Sequence, residues 1–244
     1  MLLLTAIFAA ALAAIHIFAA RLRFLDVVPR SRYLSFAGGI AVAYVFLHIL
    51  PELSAHQRIF AESLDLGDKA AETWVYLLTL VGLAVFYGLE RFVKEARTHR
   101  REPAHGEIPT DGVFWLHIGS FALYAALIGY LLLHREETGL WSLFFYVVAM
   151  GLHFLTNDFG LRQDHRERYD KRGRWLLAGA TPLGWAVGAL TTLPAPATGF
   201  LFAFLAGGVV LNVLKEELPE ERQSRFLPFV LGAGGYAALL IVAG

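Results

Sequence analysis

The sequence predicts an all-α, polytopic membrane protein, and three observations carry that expectation. Apolar residues are gathered into eight blocks of about bilayer length rather than spread at amphipathic spacing. They make up 57% of the 244 residues, against 17% charged, so little chain is left over for a soluble domain. Lys and Arg residues are dense in every second connection and sparse in the others, the pattern of a chain that weaves across a bilayer. One domain covering residues 1–244 is expected, with the lipid bilayer as its surroundings and no nucleic-acid partner.

The spans are expected at about Leu2–Ala20, Leu34–Leu50, Thr73–Phe92, Gly112–Leu133, Leu140–Leu161, Trp175–Leu193, Thr198–Leu214 and Phe226–Val242. The first is read as a retained helix rather than a signal peptide, because its basic residues follow the apolar run. Pro51 is expected to end the second span. Pro182 is expected to kink the sixth or to mark its first turns. Trp74, Trp115, Trp141 and Trp175 fall near span ends, where indole rings anchor at the interface.

Orientation follows from charge. Of the 21 Lys and Arg residues, all but Arg58, Lys69 and Arg135 lie in the first, third, fifth and seventh connections. Basic connections stay in the cytoplasm, which puts both termini outside it. The location expected is a bacterial inner membrane. Absence of cysteine excludes disulfides and thiolate metal sites, leaving His, Asp, Glu, Asn and water as donors for any cation.

An internal echo adds topology. AGGIAVAYVFLHILPE at Ala37–Glu52 and AGGVVLNVLKEELPE at Ala206–Glu220 would cross in opposite directions, as in an inverted repeat with a site near mid-membrane.

Chemistry is concentrated in the fifth span, FFYVVAMGLHFLTND at Phe144–Asp158. Spacings of four and five residues bring His153, Asn157 and, less squarely, Asp158 toward one side of a helix. Ionisable groups inside an apolar segment are costly and point to function. With His117 of the fourth span they form a candidate nitrogen- and oxygen-ligand site for Zn²⁺ or Fe²⁺. His16, near the inner end of the first span, is the remaining imidazole at that depth. The plainer reading gives each histidine a carbonyl or a water as partner. His48 and Glu52 read as interfacial groups, Thr181 and Asn212 as interhelical hydrogen bonds, and Asp164, His165 and Glu167 as parts of a solvated charged loop.

These features resemble the ZIP family of divalent-metal transporters. The resemblance rests on the eight spans with outer termini and on a basic third connection holding His99 and His105. It rests also on HILPE at His48–Glu52, TPLGWAVGAL at Thr181–Leu190 and the seventh-span AGG…LPE. It implies two inverted three-helix repeats around the fourth and fifth spans, which in the family carry a binuclear zinc site. Carried across, the fourth-span motif is HIGSFA at His117–Ala122, with Ile118 and Phe121 where an asparagine and a carboxylate belong. The fifth-span motif is HFLTND at His153–Asp158, with Phe154 for the amide and Asn157 for the bridging glutamate. Thr181 stands for the glutamate of the sixth span.

The resemblance therefore implies a divalent-cation carrier, not an enzyme, with an altered and at most mononuclear site of His117, His153, Asn157 and Asp158. The cargo would be zinc or iron, and family members often pair as homodimers. Two rival readings stand beside it. One is a ZIP-derived scaffold or sensor that no longer transports, consistent with the lost carboxylates. The other is an intramembrane zinc hydrolase using Ser120, Asp158 and His165.

Overall fold

The computed structural model describes residues 1–19, 21, 32–99, 110–135, 139–217 and 225–243. Arg23, Arg30, Arg100, Arg101, His105, Pro219, Glu220 and Arg222, which entered the charge and motif arguments, lie outside them, as does the side chain of His99. The elements are α1 (Leu2–Ala19), α2 (Arg32–Tyr44), α3 (Leu50–Ser63), α4 (Asp68–His99), α5 (Thr110–Leu131), α6 (Leu140–Arg168), α7 (Arg174–Leu190), α8 (Ala195–Glu217) and α9 (Phe226–Ala243). Single π-helical turns, Val45–Ile49 and Tyr169–Gly173, join α2 to α3 and α6 to α7. No strand occurs among the described residues.

Six of the continuous helical stretches are long and apolar enough to cross a membrane, and Phe226–Val242 is a shorter apolar helix. This is the pattern of an integral membrane protein. The outward faces agree with it: Leu123, Leu183, Leu190, Ile241 and Val242 are exposed, as are the four tryptophans expected near span ends.

Side-chain contacts fix the relative directions of the helices. Along α5, His117, Tyr124 and Ile128 meet His165, His153 and Tyr146 of α6, so these two helices are antiparallel. Ile118, Ala126 and Tyr130 meet Gly173, Gly184 and Gly188, so α7 runs with α5. The chain therefore reverses between His165 and Gly173 without leaving helical geometry, apart from His165 itself (φ −131°, ψ 17°). The fifth connection had been expected to be a solvated loop. It is a wound turn instead, because Tyr169 is fully buried against Phe114, Ile118 and Leu177 and holds it down.

Three pairs of neighbouring helices share one packing device. Gly39 and Gly232 join α2 to α9, Gly82 and Gly207 join α4 to α8, and Gly129 and Gly184 join α5 to α7. In each pair a Cβ added to either glycine would fall about 2 Å from the backbone carbonyl oxygen three residues before the other. Backbones this close require glycine, and bring the Cα–H groups within reach of opposing carbonyls.

Pro51 does not end its helix. It occupies the first turn of α3, where a missing N–H costs no bond, and the wide turn at Val45–Ile49 makes room upstream for its ring. Helix α3 then packs on the start of α8, with Phe60 on Phe200 and His56 on Phe202. Pro182 lies inside the continuous α7.

Candidate functional site

Three polar groups of residues inside the bundle contain the candidate ligands. The largest draws on four helices. Lys215 of α8 donates to Glu90 Oε1 of α4 at 2.6 Å. His117 of α5 donates to the same oxygen through Nε2 at 3.3 Å. On the far side of its ring, His117 Nδ1 faces His165 Nε2 of α6 at 3.0 Å. With the Nε2 proton directed to Glu90, a neutral His117 accepts at Nδ1, and His165 is the donor. Glu90 and His117 are both buried, so their pairing offsets a large desolvation penalty.

The second group centres on His153. The Tyr124 hydroxyl donates to its Nε2 at 2.7 Å, and the Asn157 amide donates to the same nitrogen at 3.0 Å. One imine lone pair thus faces two donors, which places the ring proton on Nδ1. That Nδ1 is buried without a partner among the described residues. The third group is a pair: His16 Nδ1 of α1 donates to both Asp158 oxygens, at 2.8 and 3.0 Å. Both residues are buried, and Phe154 lies against the His16 ring. Asp158 is turned to α1, away from the His153–Asn157 pair one position back along the helix.

His117 and His153 do not face each other across a gap. They are linked through a row of rings on α5, with Phe121 5.3 Å from His117, Tyr124 6.2 Å from Phe121 and His153 5.5 Å from Tyr124. Phe86 of α4 packs on both Phe121 and Tyr124. Of the four candidate ligands, only His153 and Asn157 are brought together.

Glu90 and His165 lie at opposite ends of the His117 ring, so no single ion can take both together with one nitrogen of His117. His153 presents its accepting nitrogen to two donors. Among the described residues no three His, Asp or Glu side chains converge on a common point.

Sequence reasoning missed Glu90, Lys215 and the role of His165. A carboxylate inside an otherwise apolar span was the available signal for Glu90. Nothing local marked His165, which sits in an arginine-rich segment. Thr181 and Asn212, expected to hydrogen-bond between helices, are buried with their side-chain polar atoms unpartnered among the described residues. The Thr181 backbone carbonyl lies close against Gly129. Ser120 is bonded back to the His117 carbonyl at 2.7 Å. With Asp158 on His16 and His165 on His117, the three residues of the hydrolase reading hold different partners.

No protein-family model, no curated protein and no solved structure matches the chain. The likeness to ZIP transporters thus rests on the residues quoted above.

Proposed function

We propose that the protein is a ZIP-derived integral membrane scaffold or sensor that does not carry divalent metal in its resting arrangement. One observation carries this reading: both ring nitrogens of His117 are engaged, one on Glu90 and one on His165, while aromatic rings lie between it and His153. Such an arrangement suits a hydrogen-bonded line that fixes four helices, rather than a chelate.

Several features support the ZIP-like topology within this proposal. The stretch Leu140–Leu190 folds back at His165–Gly173 and counts as two crossings, which with Phe226–Val242 gives eight. The close pairing of α2 with α9 is mirrored by that of α8 with α4. An inverted repeat relating the first three crossings to the last three requires that correspondence. Orientation with both termini outside follows from the basic connections.

The test is metal content and flux together. Purified protein equilibrated with zinc or iron is expected to retain neither ion stoichiometrically, and vesicles containing it are expected to accumulate neither above protein-free vesicles. Uptake that disappears in His117→Ala and His153→Ala would reverse the conclusion.

Divalent-cation carriage stays as a second reading because of Glu90. Its carboxylate supplies, on α4, negative charge in place of the carboxylates missing at Phe121 and Asn157, and His117 Nε2 lies 3.3 Å from it. In this reading zinc or iron displaces the Lys215 ammonium as substrate, and uptake depends on Glu90.

A further inference from the structure

Between α1 and α6 runs an open groove of about 480 Å³ lined by residues without polar side chains. Its width comes from small residues: Ala11 and Ala14 on one side and Gly151 on the other, with Phe18, Val148 and Leu155 completing the walls. The helices run side by side here, since Leu12 and Ile15 lie against Gly151 while His16 lies against Phe154 and Asp158. From Ala11 to Phe18 the groove is roughly 10 Å long at helical rise.

Arg21 stands just beyond that end. Its guanidinium lies 5.2 Å over the ring of Phe18, one of the lining residues. Among the described residues no carboxylate pairs with it. Arg162, farther along α6, is by contrast bonded to Asp170 at 3.0 Å. Apolar walls that end at a cation match the two halves of one molecule, a hydrocarbon tail and an anionic head.

We propose that this groove binds an acyl chain of an anionic phospholipid whose headgroup phosphate rests on Arg21. The lipid belongs to the leaflet at the C-terminal end of α1, which the distribution of Lys and Arg makes the cytoplasmic one. The site depends on the protein being membrane-embedded, but not on whether it carries metal.

The experiment is native mass spectrometry of the protein released from nanodiscs holding equal phosphatidylglycerol and phosphatidylcholine with identical acyl chains. The wild type is expected to retain the anionic lipid about fivefold over the zwitterionic one, the worth of one basic side chain near an anionic headgroup. Arg21→Gln, an exposed change that leaves the bundle intact, is expected to reduce that preference to about one. Ala11→Phe is expected to lower retention of both lipids by filling the groove. Equal retention by the wild type overturns the proposal, as does a preference unchanged in Arg21→Gln. The chain has no cysteine of its own, so Ala11→Cys asks separately whether a second copy covers the groove. Disulfide-linked dimers formed in membranes would assign the groove to that copy and overturn the lipid site. Recovery of the protein from the aqueous phase without detergent would instead sink the membrane reading itself, and is distinguishable from either result.

Discussion

Lys215 and Glu90 meet at 2.6 Å with side chains only 24% and 9% exposed, joining α8 to α4 where His117 of α5 also arrives. The ammonium and the His117 Nε2–H share one carboxylate oxygen, so a fixed positive charge already occupies the position a mobile cation would take beside Glu90. A buried pair of this kind is costly to break from one side, because the other charge is left without compensation.

The two single substitutions at this pair are expected to differ. Lys215→Met leaves the Glu90 carboxylate buried with only a histidine for company, and should cost about 3 kcal/mol. Glu90→Gln leaves a long, partly exposed lysine that can reach toward the interface, and should cost less. The double variant should recover most of the loss. Denaturant titration in detergent micelles checks the order, and a Glu90→Gln loss larger than that of Lys215→Met would contradict it.

Removing the ammonium should also uncover a ligand pair. In Lys215→Ala, Glu90 Oε1 and His117 Nε2 remain within 3.3 Å of each other with nothing cationic between them. Zinc is expected to raise the melting temperature of this variant and not that of the wild type. The rise should vanish when Glu90→Gln is added.

The glycine crossings give a prediction with an internal control on one helix. A Cβ at Gly184 would sit 1.8 Å from the Ala126 carbonyl oxygen, whereas one at Gly179, a little over a turn earlier on α7, meets nothing within 4 Å. Gly184→Ala forces α5 and α7 apart and is expected to cost about 2–3 kcal/mol, as overpacking does. Gly179→Ala is expected to be neutral or to stabilise by about 0.5–1 kcal/mol through helix propensity.

At His153, two donors compete for one nitrogen. Tyr124→Phe and Asn157→Ala should each cost about 1 kcal/mol, because either donor alone still satisfies the acceptor. Together they should cost more than the sum, since the imine nitrogen is then buried with no partner at all. A double-mutant cycle measures that excess.

The helices were legible because bilayer-length apolar blocks have few other structures available to them, and His117, His153, Asn157 and Asp158, expected as metal ligands, are buried polar residues. Their partners were not legible. Spacing along one helix says which of its residues share a face, but not which residue of another helix stands opposite. Asp158 illustrates this: it follows Asn157 directly yet pairs with His16, 142 positions away in the chain. His165 was hidden by its neighbours, for Arg162, Arg166 and Arg168 read as water-facing while the reversal of the chain tucks one imidazole inward. Pro51 was misread because a proline normally stops a helix, and a π turn just upstream left no local trace in the residues.

The wound turn between α6 and α7 bears on how the molecule can move. A flexible connection would let these two rods slide past one another, whereas a continuous coil bent sharply at one amino acid works as a stiff bracket. Any rearrangement of the pair then has to be expressed through the torsions of His165. The same imidazole grips α5 through His117, so the angle of the bracket and its hold on that neighbour cannot vary independently.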